Sequence, residues 1–223
     1  MRLLHWSDNH GHIPSSFHGK YDVNINTGDF FPNSHWLGQG EIAKEQRFQL
    51  QWLRDNVHYL KEKLQGHPFL YVPGNHCMLP ANLMEFELQA AGIEAYSLTD
   101  RIFTFKGVNF FGHPYVPYID GGFNYERKLP EMQEEVNKMV TLLNSVYVDV
   151  LACHCPPYGC LDLANSNNRY GCTTLSNALD YKISRDMIPQ VLLCGHVHDS
   201  AALTMRNGLL VSNMATTQTI IEI

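Results

Sequence analysis

Residues Arg2–His10 read RLLHWSDNH, a short, largely apolar run that breaks into a loop carrying Asp8 and His10. A carboxylate and an imidazole one residue apart, just past a strand, can both turn toward one cation. The same device recurs downstream: Val23–Asn26 runs into Gly28-Asp29, and Phe69–Val72 into Gly74-Asn75-His76. Val150–Cys153 runs into His154, and Val191–Cys194 into Gly195-His196-Val197-His198. Five strand ends would thus deliver polar ligands to one edge of a sheet, where open α/β sheets hold their ligands.

These ligand-like residues extend from Asp8 to His198 of a 223-residue chain, so any division would cut the site, and the reading is one domain over residues 1–223. A hydrophobic content of 44% is ordinary for a globular protein. The formal net charge is −6 with no lysine or arginine run, which argues against a long nucleic acid as partner. A small phosphorylated molecule is compatible with that charge, because bound metal ions can supply the positive field. With no leader-like segment and no apolar run of spanning length, the expectation is a soluble, cytoplasmic protein without membrane association; nothing in the sequence speaks to its oligomeric state. Cys153, Cys155 and Cys194 lie in or beside apolar strands, as small hydrophobes do. Cys160 and Cys172 fall in a loop, and a structural zinc site drawing on Cys153, Cys155, Cys160 and Cys172 is the alternative to idle thiols.

Between the strand ends, Glu41–Leu64 has helical apolar periodicity and is closed by Gly66 and Pro68. Ala81–Ala91, Glu131–Leu143 and Leu175–Met187 are predicted as further helices. Ile93–Ser97, Arg101–Phe105 and Val108–Phe111 are predicted as strands, the last two a hairpin through Lys106-Gly107. Ala202–Arg206 and Leu209–Ser212 flank an Asn-Gly turn, and Gln218–Glu222 is a last strand. Parallel-type units early and hairpins late suggest mixed sheets sandwiched between helices. Phe30, Phe31, Trp36, Tyr115, Tyr118 and Tyr158 are read as packing the loops, with base stacking the alternative. His5, His12, His18, His35, His58, His67 and His113 match no ligand pattern and are read as surface or structural, His113 calling for the closest check.

In order, Ser7-Asp8-Asn9-His10, Gly28-Asp29, Gly74-Asn75-His76, His154 and Gly195-His196-Val197-His198 resemble the motif set of the calcineurin-like metallophosphoesterases. The resemblance implies a four-layer αββα sandwich of class α/β, with two mixed sheets flanked by helices. It also implies two divalent transition-metal ions, manganese first and iron or zinc as alternatives. Asp8, His10 and His198 would hold one ion, Asn75, His154 and His196 the other, and Asp29 would bridge them. A water shared between the ions would attack phosphorus, with His76 as general acid toward the leaving oxygen. One departure stands out: Cys77 follows Gly-Asn-His where the family commonly has an acidic residue. That loss removes a partner favouring the protonated imidazole, so a donor failing at lower pH is expected unless another acid substitutes.

His154-Cys-Pro-Pro-Tyr-Gly-Cys-Leu-Asp and Arg169-Tyr-Gly-Cys172 look like the loops of the small metallophosphoesterase-domain branch, related to the class III cyclic-nucleotide phosphodiesterases. That implies phosphodiester substrates, cyclic nucleotides among them, with Arg169 and Tyr158 as substrate-binding candidates. The bland reading is that Arg169 pairs with a nearby carboxylate. A phosphomonoesterase of the same fold is the functional alternative, and a metal-binding scaffold without turnover is another.

Overall fold

The computed structural model describes residues 1–17, 19–37, 39–183 and 188–223. The chain runs β1 (Arg2–Trp6), β2 (Val23–Asn26), α1 (Ile42–Leu64), β3 (Phe69–Tyr71), α2 (Ala81–Ala90), β4 (Ala95–Ser97), β5 (Ile102–Phe105) and β6 (Val108–His113). It continues through β7 (Val116–Pro117), β8 (Glu126–Arg127), α3 (Leu129–Ser145), β9 (Val150–Cys153), α4 (Thr173–Ile183) and β10 (Val191–Cys194). After a 3-10 turn at His198–Ser200 come β11 (Ala202–Arg206), β12 (Leu209–Asn213) and β13 (Gln218–Glu222). The predicted end of the last helix at Met187 and the residue His18 lie outside the described residues.

One sheet is ordered β13-β1-β2-β3-β4 and the other β11-β12-β10-β9-β6-β5. In both the interior pairs are parallel and the outermost strands β13, β11 and β5 antiparallel. Period-2 alternation decides how they stack. On β9, Val150 and Ala152 join the core between the sheets, while Leu151 and Cys153 face outward with α3 and α4; β10 repeats the pattern with Val191 and Leu193 against Leu192 and Cys194. The outer face of the first sheet is covered by Leu53, Val57, Leu60 and Leu64 of α1 and Met84 and Leu88 of α2, packed around Trp6, Phe30 and Phe69. Helix, sheet, sheet, helix is therefore the layer order, the α/β sandwich expected from the motif set.

His5 on β1 crosses the gap between the sheets. Its Nδ1 lies 2.8 Å from Ser212 Oγ on β12 and its Nε2 2.9 Å from Thr27 Oγ1. Phe30 and Phe31 pack into the α1 core, in keeping with packing over stacking. The five cysteines Cys153, Cys155, Cys160, Cys172 and Cys194 sit in the outer core of the second sheet as free thiols. Among the described residues, no set of three donors within 4.8 Å of one another includes a cysteine, so the zinc alternative has no cage.

Candidate metal centre

The five strand ends do not share one sheet, as a reading of the sequence alone suggests. β1, β2 and β3 end in the first sheet, β9 and β10 in the second, and face-to-face stacking brings both sets of carboxyl ends to one rim. The loops there are zipped by backbone bonds: Asp8 N–H donates to Gly28 O at 2.9 Å, His10 N–H to Asp29 O at 3.0 Å, and Gly195 N–H to His154 O at 2.9 Å. Asp8, His10, Asp29 and His196 hold φ values of 54°, 44°, 47° and 67°. Asp, Asn and His tolerate that left-handed region better than most residues, and such conformations cluster at functional sites.

Two glycines let the loops close. A Cβ on Gly28, whose φ is +120°, would stand 2.2 Å from His154 Nδ1, and one on Gly195 would stand 2.0 Å from Asp8 Oδ2. The glycine of each short motif is thus needed for side chains of other strands to pass beside its backbone.

The side chains converge. Asp8 Oδ1 lies 3.4 Å from His198 Nε2, and Asp29 Oδ2 lies 3.4 Å from His154 Nε2 and 4.0 Å from His76 Nε2. His154 Nε2 is 2.9 Å from Asn75 Oδ1, and its Nδ1 donates to Thr27 O at 2.8 Å, which fixes the ring. The His154 and His196 rings are 5.0 Å apart, those of His10 and His198 5.4 Å. Asp8-His10-His198, His10-Asp29-His76 and Asp8-Asp29-His154 each bring three donor atoms within 4.8 Å of one another. His10, Asp29, Asn75, His76, His196 and His198 line one open pocket, with Asp8 and His154 buried beneath it.

Asp8 and Asp29 are 1% and 2% exposed, and the ion-pair contacts made with them come from imidazoles. Burial opposes both carboxylates, yet His198 and His154 hold Asp8, and chiefly His154 holds Asp29, below the usual carboxylate range. Burial likewise opposes the His154 imidazolium, but Asp29 outweighs it and lifts that group to about 9. Burial and the neighbouring His154 press His196 down to about 4. His10 Nδ1 is buried and, among the described residues, has no hydrogen-bond partner. Two buried carboxylates, clustered imidazoles and an orphaned ring nitrogen form a donor set that suits divalent cations.

His76 Nδ1 lies 2.9 Å from Asn33 Oδ1, and its backbone N–H donates to Asp29 Oδ1 at 2.8 Å. Cys77 does not take part: its thiol is 2% exposed in the aromatic core, where burial pushes it up to about 12. The hydrogen-bond partner of the His76 ring is thus an amide, with the Asp29 carboxylate at 4.0 Å from its Nε2. Arg169 is ion-paired to the fully buried Asp162, the bland outcome for that residue, and stands over the Tyr158 ring at 5.8 Å. Neither lines the pocket; Tyr170, next to Arg169 in sequence, does, with Asn33, Ile119 and Phe123. Asn33, Gln49, Asn124 and Tyr170 are site residues that the motifs did not point to. Gln49 had a legible signal, a polar residue on the core-facing stripe of a helix.

The family profile described as calcineurin-like phosphoesterase matches residues 1–200. Human metallophosphoesterase domain-containing protein 1 is 26% identical over 201 residues, 80% of this chain and 54% of the human protein, and the mouse protein matches equally. UPF0046 protein T07D4.2 of Caenorhabditis elegans is 29% identical over 110 residues, 49% of this chain and 26% of the worm protein. The chain therefore spans about half the length of the mammalian relatives and less of the worm protein. Among solved structures, one of 15% identity superposes with a TM-score of 0.62 over 95% of this chain and 89% of the other. The protein TT1561 of Thermus thermophilus, 11% identical, gives 0.55 over 96% and 90%, and at these identities the likeness is one of fold.

Proposed function

Because the chain belongs to the calcineurin-like phosphoesterase family, a family of metal-dependent phosphoric ester hydrolases, we propose that it hydrolyses small phosphodiesters at a pair of divalent transition-metal ions. The observation that carries this reading is the convergence of Asp8, Asp29, Asn75 and four histidines from two sheets on one pocket beside His76. Asp8, His10 and His198 would hold one ion, Asn75, His154 and His196 the other, and Asp29 would serve both. Manganese suits mixed imidazole and oxygen donors, as do iron and zinc. Bound there, the ions would supply positive charge for the phosphoryl oxygens and would lower the pKa of a water for attack at neutral pH.

The chain's own residues do the rest. As the bond from phosphorus to the leaving oxygen breaks, His76 gives that oxygen the proton on Nε2, while Asn33 Oδ1 keeps the other proton on Nδ1. Among the described residues that line the pocket none is Lys or Arg, which favours a diester with its single negative charge over a monoester dianion. Cyclic nucleotides are the first substrates to try, and no long nucleic acid is expected as partner. Among the described residues no helix is long and apolar enough to cross a membrane.

The test is hydrolysis by metal-reconstituted protein of matched mono- and diesters, including 2′,3′- and 3′,5′-cyclic nucleotides. Metal-dependent diester turnover that Asp29→Asn abolishes is the expected result. Full turnover by that variant would contradict the ligand set, and metal binding without turnover of any ester would favour a scaffold.

A further inference from the structure

The stretch between β7 and β8 is a built loop. Val116 N–H donates to Tyr125 O at 3.1 Å and Tyr118 N–H to Arg127 O at 2.9 Å, closing its base. Inside it, Gly121 N–H reaches Glu126 Oε2 and Gly122 N–H reaches Asp120 Oδ1, both at 2.7 Å. Asn124 then locks the loop onto the catalytic turn: its backbone N–H donates to Asn75 O at 2.9 Å and its side-chain amide to Cys77 O at 2.8 Å, straddling His76. The product of that anchoring is the Phe123 ring, held 4.8 Å from the His76 ring with 32° between their planes.

Beside Phe123 the pocket wall is Ile119, 47% exposed, and Tyr170, 44% exposed. Large apolar groups left in water on the rim of a polar pocket are a surface waiting for a ligand, since covering them gains about 25 cal/mol per Å². Direction says which part of the ligand. The proton of His76 goes to the leaving oxygen, so the group attached to that oxygen lies in the part of the pocket that His76 and Phe123 line together.

We propose that Ile119, Phe123 and Tyr170 form a leaving-group subsite that selects phosphoesters whose leaving alcohol carries a flat, uncharged aromatic group. The absence of Lys and Arg from the described lining means that a second phosphate or carboxylate on the leaving group goes unrecognised. The inference rests on the phosphoesterase reading of the pocket and on His76 as the acid.

Two readouts test it on the metal-reconstituted full chain. Phenylphosphonate and methylphosphonate are not hydrolysed, and calorimetry should show the phenyl compound binding about tenfold more tightly, a preference lost in Phe123→Ala and in the exposed-site variant Tyr170→Ala. In turnover, Phe123→Ala should lower kcat/KM for methyl phenyl phosphate about tenfold and for methyl trifluoroethyl phosphate less than about threefold, with Phe123→Tyr restoring the difference. Equal affinity of wild type for both phosphonates overturns the subsite and leaves the hydrolase standing. Equal losses on both esters also overturn it, by reducing Phe123 to a packing residue. Binding of neither phosphonate together with turnover of neither ester overturns the hydrolase, and the subsite with it.

Discussion

Asn33 is the residue on which the proposed general acid, His76, depends. Its Oδ1 is 2.9 Å from His76 Nδ1, so that nitrogen is engaged by the amide and Nε2 is left to face the substrate. Nothing in the order of the motifs points to Asn33, because the contact is made by a loop across the pocket rather than by a neighbour in sequence. Asn33→Ala should therefore cut turnover of esters with poor leaving groups about tenfold and of activated aryl esters less than about twofold, since only the former need the proton. Asn33→Asp, which can accept the same bond, should restore the lost rate. A uniform loss along a leaving-group series would remove Asn33 from this role. His113 lies at the opposite extreme, 1% exposed with neither ring nitrogen hydrogen-bonded among the described residues. Burial, with Arg127 adding to it, lowers its pKa to about 4 from an ordinary value of 6.5. As pH falls below about 6.5 the unfolded chain takes up a proton that the folded chain refuses, so stability declines until about pH 4. Replacing the ring with one that does not titrate should flatten this limb: between about pH 7 and 5 the wild type should lose about 2 kcal/mol more than His113→Phe in urea unfolding. Parallel pH profiles for the two proteins would show that His113 is not the titrating group.

Helix α1 reaches the site by a route that apolar periodicity conceals. Leu53, Val57, Leu60 and Leu64 form its buried stripe, and one and two turns back the same stripe carries Gln49 and Glu45, 0% and 1% exposed. Gln49 Oε1 accepts from Met78 and Leu79 N–H at 2.8 and 2.9 Å, and its Nε2 donates to His76 O at 2.7 Å and to Glu45 Oε1 at 3.1 Å. Ser34 Oγ in turn hydrogen-bonds Glu45 Oε2, tying in the loop that carries Asn33. Gln49→Leu would fill the space but strand a buried carbonyl and two buried N–H groups, at a cost of about 3 kcal/mol or more in unfolding experiments. Apolar periodicity counts Ile42 and Phe48 toward the core face, yet they are 55% and 36% exposed, while Glu45 and Gln49 are buried and Gln49 grips the His76 loop. Long periodic elements and the glycine-flanked Asp, Asn and His residues that meet at the pocket were legible, since each is written into local pattern. The two-residue strands β7 and β8 and the loop they close were not, because hydrogen bonds to Asn75 and Cys77 hold that loop where no period exists.

At the scale of the whole molecule, the site is where two sheets meet, and polar groups tie them there. Ser7 pairs with Ala215, His5 bonds to Ser212 and Thr27, and Asp8 accepts the His196 N–H at 2.9 and 3.0 Å, so the ends of β1 and β10 are joined through a carboxylate. Ions held by Asp8, Asp29 and the surrounding histidines would bind the folded chain and not the unfolded one, because the donors are spread from residue 8 to residue 198. Such linkage adds about 2.7 kcal/mol at roughly a hundredfold excess of free metal over its Kd. Stripping metal with a chelator should thus lower Tm by several degrees, about what this free energy is worth in a chain of this length, and manganese should restore it. Asp29→Asn should be less responsive than the wild type, since it removes the negative charge and puts an amide nitrogen, which does not ligate, in place of one carboxylate oxygen. A substitution at Arg169, outside the pocket, should leave the metal increment intact even where it costs stability through Asp162. A Tm that ignores both chelator and manganese would mean that the two sheets are held together without cations, and the reading of Asp8 and Asp29 as ligands would have to be given up.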